Sequence, residues 1–189
     1  MKFPLILATA ACLVLSGCAQ VLTATTEEPI KEDPTRRTTG ALIDDELVEI
    51  KALVNLAKAS PSLENAHISA VSFNGIMLLV GQVPDAQSRK LAEQVVSKLH
   101  KIRTVHNELE VAGPTSQLVR TNDTWLTGKI KTAMLADRGI EGSRLKVVTE
   151  NGVVYLMGLT TQREAERAVN LARQTQGVQK VVKIFEYIR

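Results

Sequence analysis

The chain has 189 residues, of which 44% are hydrophobic and 3% aromatic, and its formal net charge is +3 at pH 7. That length suits one ordinary domain or two small ones and excludes a large multidomain protein. Both cysteines lie within the first 18 residues, so the composition also excludes a fold held together by disulfides.

The first residues are predicted to form a secretory signal. Lys2 is the only early charge, and the apolar run LILATAACLVL extends over residues 5–15. This pattern is typical of a signal peptide, and the run is too short to span a bilayer as a mature helix. It ends in Leu15-Ser16-Gly17-Cys18, which resembles the bacterial lipobox, in which the cysteine is acylated and becomes the new N-terminus. Residues 1–17 are therefore predicted to be a lipoprotein signal peptide; the alternative is an ordinary cleaved signal that contains a cysteine.

Cysteine usage agrees with lipidation at Cys18. Cys12 would leave with the signal and Cys18 would carry lipid, so the mature protein would have no thiol to oxidise. Several acyl chains on one cysteine anchor a protein far more firmly than a single chain does. Ala19 follows the cysteine, in place of the aspartate that commonly retains such proteins at the inner membrane. We therefore expect a lipid-anchored protein of the outer membrane that faces the periplasm.

A flexible linker is predicted between the anchor and the folded part. Residues 19–43, AQVLTATTEEPIKEDPTRRTTGALI, are dominated by threonine, proline and mixed charge, with weak apolar periodicity. Such a composition is typical of an unstructured tether. The lipidated cysteine and the linker together are assigned to residues 18–43.

Beyond the linker the sequence repeats itself. The segment FNGIMLLVG at 73–81 matches ENGVVYLMG at 150–158, an offset of 77. Farther on, IRTV at 102–105 matches VQKV at 178–181, an offset of 76. Two units of nearly equal length indicate a duplication. The units are assigned to residues 44–112 and 120–189.

The first unit is predicted to contain a helix, two strands, a helix and a strand. The first helix is expected over about 45–58. Asn74-Gly75 suits a two-residue hairpin turn, because both residues tolerate positive φ. The second helix is indicated by apolar residues at helical spacing: Ala92, Val95, Val96 and Leu99. The predicted strands are His67–Phe73, Ile76–Val80 and Val105–Val111.

The second unit is predicted to have the same order. Its first helix is expected over about 123–136, with Asn122 or Asp123 capping the free amides at the helix start. Asn151-Gly152 again suits a hairpin turn. The second helix is indicated by Ala165, Ala168, Val169 and Ala172. The predicted strands are Leu145–Thr149, Val153–Met157 and Val178–Ile188.

The order αββαβ in both units predicts an α+β fold, a pair of small sandwiches with helices on one face of a sheet. This order, the Asn-Gly hairpin leading to a glycine after the second strand, and the closing Gly177-Val178-Gln179-Lys180-Val181 resemble the BON domain. Two such units behind a lipobox resemble the dual-BON outer-membrane lipoproteins, over the whole mature chain apart from the linker. The match is strongest at residues 122–125 and 149–159. It is weaker in the first unit, where Lys101-Ile102 stands in place of the usual Gly-Val.

The resemblance implies a function as well as a fold. It implies phospholipid binding, mainly by the second unit, and a role in envelope integrity, concentrated where the envelope constricts at division. It implies no catalytic activity. The departure at Lys101-Ile102 limits what can be carried over to the first unit.

The charges divide unevenly between the two units. Residues 44–112 contain seven Lys and Arg against nine Asp and Glu, whereas residues 120–189 contain twelve against seven. A basic surface favours polyanions such as nucleic acid or anionic lipid. An exported lipoprotein rarely meets nucleic acid, so an anionic phospholipid membrane is the expected partner. The alternative is a solvated surface that is basic without a binding role.

The only tryptophan lies off the predicted core face of its helix. Leu126, Ile130, Ala133 and Met134 cluster on one side, and Trp125 lies roughly 120° from the centre of that cluster at about 100° per residue. Tryptophan favours the headgroup level of a membrane, and a lysine nearby can extend its ammonium to phosphate. By resemblance, the first helix of the second unit is the expected lipid contact. The predicted lipid-binding residues are Thr124, Trp125, Leu126, Gly128, Lys129, Lys131, Thr132 and Leu135.

Alternative interpretations of this tryptophan remain. Trp125 would instead pack against the first unit or the linker, because two units need a contact and tryptophan is common at such contacts. In function, the alternative is a protein-interaction or chaperone-like factor for outer-membrane protein assembly, with the exposed aromatic contacting a protein partner.

The matching helix of the first unit is apolar on two sides. A first stripe contains Val48, Ala52 and Leu56. A helix that is apolar on both sides is usually covered on both sides. We therefore expect this helix to pack in part against the second unit, which would leave the second unit to face lipid. The second stripe contains Leu47, Ile50, Leu53, Val54 and Ala57.

No catalytic or metal site is predicted. His67, His100 and His106 fall at a strand start, a helix end and the final strand of the first unit, without cysteine partners or close ligand spacing. No nucleophile elbow, phosphate loop or zinc-protease signature is present in the sequence. We therefore expect no cofactor.

Overall fold

The computed structural model describes residues 38–188. The predicted signal peptide, the lipidation site Cys18 and the linker as far as residue 37 lie outside the described residues. Within the described part, none of the helices combines the length and apolar character that crossing a membrane requires.

The first module has the predicted order of elements, with one short helix added. Its first helix starts six residues before the predicted position, because the Thr38 hydroxyl caps it by accepting a hydrogen bond from the Ala41 amide at 3.1 Å. Residues 39–43 of the predicted linker are therefore helical. The elements are α1 (Thr39–Ala59), α2 (Pro61–Glu64), β1 (His67–Phe73), β2 (Ile76–Val83), α3 (Ala86–Val96) and β3 (Thr104–Val111).

The second module repeats this order. Its first helix also starts six residues early, capped by Ser116, whose hydroxyl accepts a hydrogen bond from the Val119 amide at 3.4 Å. The prediction that Asn122 or Asp123 caps this helix is therefore wrong, since both lie inside it. The elements are α4 (Gln117–Ala136), a 3-10 turn (Gly142–Arg144), β4 (Leu145–Glu150), β5 (Val153–Thr160), α5 (Gln162–Gln174) and β6 (Lys180–Tyr187).

Each module contains a three-stranded sheet with its second strand in the middle. β1 pairs antiparallel with β2, which pairs parallel with β3, and β4, β5 and β6 repeat the pattern. The hairpins turn at Asn74-Gly75 and Asn151-Gly152, where φ lies between 50° and 76°. Positive φ at both residues is what a two-residue hairpin of this type requires. The α+β class and the paired αββαβ units are confirmed.

A glycine occupies the same place in both central strands. Gly81 and Gly158 have φ values of 124° and 150°. A Cβ on Gly81 would lie 2.0 Å from the carbonyl oxygen of His67, and one on Gly158 would lie 2.2 Å from that of Arg144. Only glycine lets the neighbouring strand approach this closely.

The two sheets pack face to face and share an apolar layer. The other face of each sheet packs under the helices of its own module. β2 is consequently buried along its whole length, as its unbroken apolar run suits. The layers are therefore helices, sheet, sheet and helices, with α1 and α4 on opposite outer faces. The buried residues of the shared layer are Phe73, Ile76, Leu78, Val80, Tyr155, Met157 and Ile184.

Helix α1 contacts the second module, as expected, but the expectation that its second apolar stripe is covered there is wrong. The apolar contact between modules is made by the sheets, and α1 reaches the second module through Glu49, which accepts a hydrogen bond from Lys146. The first stripe is buried against its own sheet, as predicted. In the second stripe, Leu47, Ile50, Leu53 and Val54 are 42 to 59% exposed.

Polar contacts join the modules around the shared layer. Lys146 Nζ donates to Glu49 Oε1 and to the Ser72 carbonyl oxygen, both at 2.8 Å. Arg103 donates to Glu186 Oε1 at 2.7 Å. These bonds help to fix the orientation of the two modules, because each one joins a residue of the first module to a residue of the second.

Candidate lipid-binding site

Helix α4 has one buried face and one exposed face. Leu126, Ile130 and Met134 are buried under the helix, as their spacing predicts, and fix its rotation on the sheet. That rotation places Trp125 on the outer side of the helix, where it is 57% exposed. The alternative in which the indole packs against the first module is wrong, because the modules meet through their sheets, and the linker up to residue 37 lies outside the described residues.

Trp125 and Lys129 form a pair on the exposed face. They are four residues apart, so their side chains meet one turn along the helix. The Lys129 ammonium lies over the indole ring, 4.7 Å from its centroid. Such a cation–π contact contributes about 0.5–1 kcal/mol at an exposed site. The ammonium of Lys129 and the indole of Trp125 thus lie together on the exposed surface of α4.

The remaining predicted residues, with one exception, share this exposed side. Leu135 is 70% exposed, and a Cβ added to Gly128 would have nothing within 4 Å. Thr124 and Thr132 donate their hydroxyls to helix carbonyls at 2.9 Å, so these hydroxyls are already bonded. Lys131 is also exposed.

Leu126 is the exception, and its assignment to the lipid-binding residues is wrong. Its side chain is fully buried and cannot touch lipid. It follows Trp125 directly and points about 100° away from it around the helix. Leu126 instead packs near the Gly177 backbone, where an added Cβ would lie 3.1 Å from its Cδ2.

The sequence analysis missed Leu118, which is 80% exposed. Leu118 lies two turns before Trp125 and therefore on the same side of α4. The seven-residue spacing between Leu118 and Trp125 could have revealed it, but the helix was predicted to start only at residue 123. The outer face of α4 is therefore defined by Leu118, Thr124, Trp125, Gly128, Lys129, Lys131, Thr132 and Leu135.

A buried carboxylate attaches helix α4 to the β4–β5 turn of its own module. Asp123 accepts hydrogen bonds from the amides of Asn151 (2.8 Å) and Gly152 (2.9 Å) at the β4–β5 turn. Asp45 of α1 makes the equivalent contact with the β1–β2 turn, accepting from the Asn74 amide at 3.0 Å. Sequence reasoning assigned Asp123 to a helix cap and missed this role.

The lysines of the outer face have no carboxylate partner within the part of the chain that the structure describes. Among residues 38–188, neither Lys129 nor Lys131 forms an ion pair. By contrast, Arg167 pairs with Asp137 at 2.8 Å just beyond the end of α4. Hydrogen bonds from Arg167 and from the Gly139 amide lower the pKa of Asp137. The two lysine charges are therefore available to an external anion.

No metal-binding cluster accompanies this face. In the described range of the chain, no group of three or more His, Cys, Asp or Glu side chains is placed to hold a metal ion. His67 lies between the modules, with Nε2 3.8 Å from Glu150 Oε2.

Comparison with protein families assigns the two modules. The family model of the BON domain matches residues 44–113 and again residues 122–188, which together make up well over half of the chain. The chain belongs to the BON domain family. The module that carries the exposed tryptophan is its second BON domain.

Relatives of similar length narrow the assignment. The chain is 34% identical to the outer membrane lipoprotein DolP of Haemophilus influenzae, over 94% of this chain and 92% of that protein. It is 32% identical to a 21 kDa hemolysin of Actinobacillus pleuropneumoniae, over 81% and 79%. These matches confirm the dual-BON lipoprotein type and support the outer membrane as its location.

Comparison with solved structures gives only a distant likeness. The C-terminal domain of CdsD, a structural protein of the type III secretion system of Chlamydia trachomatis, is 16% identical, with a TM-score of 0.31. The match covers 77% of this chain and 67% of that one. A likeness this distant has no bearing on function.

Proposed function

We propose that this chain is a non-enzymatic outer-membrane lipoprotein whose second BON domain binds anionic phospholipid through the outer face of α4. The observation that carries the proposal is the exposed indole of Trp125 with the Lys129 ammonium 4.7 Å from its ring. An aromatic ring with one N–H donor suits the headgroup level of a bilayer.

Apolar and cationic groups on this face support each other. Leu118, Trp125 and Leu135 would enter the headgroup layer, where burying apolar surface contributes about 25 cal/mol per Å². Lys129 and Lys131 would meet phosphate, each contributing on the order of 1 kcal/mol near an anionic surface. Neither contribution alone holds a domain firmly, but their sum suits reversible docking of a protein that is already anchored.

The charge of the whole molecule favours the same orientation. The second BON domain carries the excess of basic residues, and the first carries a small excess of acidic ones. Because α1 and α4 lie on opposite outer faces, an anionic membrane attracts the α4 side and repels the α1 side. The anchor would hold the molecule at the membrane, and α4 would set its orientation there.

The cellular role we propose is support of envelope integrity, concentrated at division sites. A domain that recognises anionic lipid would gather where such lipid is enriched, while the acylated Cys18 would hold it in the outer membrane facing the periplasm. Outer-membrane assembly proteins are the further partners that this role suggests.

Vesicle binding tests the lipid contact. The unlipidated body, residues 37–189, forms one compact unit and can be mixed with vesicles of phosphatidylcholine alone or with added phosphatidylglycerol. Trp125 is the only tryptophan, so its fluorescence reports directly on this face. We expect a blue shift with the anionic vesicles. In vesicle sedimentation, Trp125→Ala and Lys129→Glu should each weaken binding about tenfold.

Matched controls come from exposed residues elsewhere. Tyr187, on β6, is 53% exposed, so Tyr187→Ala removes a similar aromatic from outside α4. Lys90→Glu reverses a charge on an exposed residue of the first module. Binding by the α4 variants as tight as by these controls would refute the proposal. If the unsubstituted body does not bind vesicles but captures an outer-membrane assembly protein, the result would favour the protein-interaction function.

A further inference from the structure

Helix α1 carries an apolar stripe that its own module leaves uncovered. Ile43, Leu47, Ile50 and Val54 are each about half exposed and follow one another at intervals of four, three and four residues. That alternation is the spacing of a coiled-coil seam. We call these four residues the α1 seam. They lie on the side of α1 opposite its buried residues and therefore point outward.

The surface around the seam is apolar as well. Leu42 and Leu53 are exposed on one flank, which widens the stripe. Monomeric proteins rarely expose contiguous apolar patches larger than a few hundred Å², and larger patches mark interaction sites. We therefore expect a second surface to cover the seam.

Anionic lipid does not suit this surface. The exposed acidic groups Asp44 and Glu46 lie beside the seam, and the first BON domain has an excess of acidic residues. A membrane that attracts the α4 face would also hold α1 away from itself, because the two helices lie on opposite outer faces. A protein surface is the better occupant.

We propose that the α1 seam pairs with the same seam of a second copy of this chain, with the two helices parallel. Glu46 and Lys51 are exposed on opposite flanks of the seam and have no ion-pair partner in the described part of the chain. In a parallel pair of helices these are the flanking positions that face each other across the seam, five residues apart in sequence. Each Glu46 therefore meets Lys51 of the other copy, twice by symmetry.

The existing ion pairs favour the parallel arrangement over the antiparallel one. In the antiparallel pairing that aligns the four seam residues, the acid opposite Lys51 is Asp44. Asp44 is already paired with Lys101 at 2.7 Å, so Glu46 is the acid left for an intermolecular contact. The parallel pair also places both helix N-termini at the same end, which suits two chains that are anchored through Cys18 in one membrane as proposed above.

The size of the seam predicts a weak pair that needs confinement. Four layers of aliphatic side chains form an interface smaller than the standard of about 800 Å² per partner. Tethering both chains to one membrane raises their effective concentration without any new contact. We therefore expect pairing of the anchored chain, which is where the test is made.

Disulfide cross-linking of the full-length chain in isolated membranes tests the proposal. In a parallel pair, Ile50 lies directly opposite Ile50 of the second copy, within the 4.4–6.8 Å Cα separation that a disulfide spans. Ile50→Cys should give a product of twice the chain mass on mild oxidation. Asn55→Cys, exposed on the same helix but off the seam, is the matched control, and the parent chain reports any reaction of its own cysteines.

Charge exchange distinguishes this pairing from other contacts. In the Ile50→Cys background, Glu46→Lys should reduce the cross-linked fraction about fivefold, since lysine then faces lysine across the seam. Adding Lys51→Glu restores opposite charges at both sites and should restore the cross-link. A nonspecific collision would not respond to this exchange.

Two results of the cross-linking experiment would contradict pairing through the α1 seam. A product at Ile50→Cys no stronger than at Asn55→Cys, or a cross-link to a different protein, would overturn it. Trp125→Ala in the Ile50→Cys background should leave the cross-link intact, because the seam does not use the outer face of α4. Failure of lipid binding and failure of pairing are therefore distinguishable.

Discussion

Asp123 holds the candidate lipid-binding helix from beneath. Its buried carboxylate accepts two backbone amides of the β4–β5 turn, and Trp125 follows two residues later. The turn itself is fixed by the positive φ of Asn151 and Gly152. The position at which the indole emerges is thus set by one side chain and a rigid hairpin.

Replacing Asp123 should cost stability because it leaves buried donors without a partner. Asp123→Ala should lower the free energy of unfolding by about 2–4 kcal/mol, and Asp123→Asn by about half of that, since one oxygen can still accept. Urea denaturation at pH 7 measures both. Asp44→Ala, at an exposed ion pair, is the control and should cost less than about 1 kcal/mol. Equal losses at the two positions would contradict the assigned role.

For single residues, the sequence predicts exposure to solvent better than it predicts hydrogen-bond partners. The helical period places Trp125 off the core face and Leu126 on it. The sequence analysis therefore contradicted itself when it also counted Leu126 among the lipid-binding residues. The role of Asp123 was not predictable, because its partners lie 28 and 29 residues away and come into contact only after the hairpin packs on the helix.

The start of helix α5 shows how one charged side chain organises an element. Thr161 and Glu164 form a reciprocal capping box, and Arg144 donates to Glu164 at 2.9 Å. Burial alone would raise the pKa of Glu164, but hydrogen bonds from the Thr161 amide and hydroxyl and the charge of Arg144 outweigh it and lower the pKa. The ionised carboxylate therefore stabilises the fold.

The stability that Glu164 contributes should disappear in acid. A carboxyl whose folded-state pKa is lowered contributes fully above its ordinary value of 4.5 and loses that contribution as pH falls through the folded-state pKa. Glu164→Gln should cost about 1–2 kcal/mol at pH 7, with the difference from the parent shrinking below pH 4.5. Urea denaturation between pH 7 and 3 measures this. A difference independent of pH would contradict it.

Element type was predictable and element starts were not. Asn-Gly between apolar runs fixed both hairpins, because few residue pairs accept positive φ twice. Both first helices begin six residues earlier than predicted, at Thr38 and Ser116 caps inside polar stretches that look like linker. Asn122-Asp123 resembled a cap in composition, but its carboxylate faces a tertiary partner.

The two modules are joined through a layer that contains one buried phenol. Tyr155 is buried at the sheet-to-sheet contact. Burial first, and then the nearby charges of Glu108, Glu110 and Glu150, raise its pKa from 10.0 to about 12. The neutral phenol is the form that the contact tolerates.

The contact between modules should therefore weaken in strong base. A group whose folded-state pKa is raised contributes fully below its unfolded pKa and loses the contribution as pH rises, here between pH 10 and 12. By pH 11.5 the loss should be about 2 kcal/mol, at about 1.36 kcal/mol per pKa unit. Tyr155→Phe, which keeps the ring, should remove this part of the pH dependence. Urea denaturation of parent and variant from pH 8 to 11.5 tests it, and parallel curves would refute it.

The arrangement of the modules was only partly predictable. The duplication is visible in the repeated segments, and the unbroken apolar run of Ile76–Val80 is typical of a strand buried on both faces. The sequence analysis did not draw this consequence and expected the contact between the units at helix α1. Which surface covers which depends on the match of two twisted sheets, and one-dimensional periodicity does not carry that information.

The shared apolar layer also bears on how such a chain arose. Cut between β3 and α4, either half would expose the mainly apolar face of its sheet to water. A lone ancestral copy would have met that difficulty by associating with its twin. Joining two such units in one chain makes this association intramolecular, and it leaves the two outer helices free to differ, as they do at the tryptophan that the second unit alone carries.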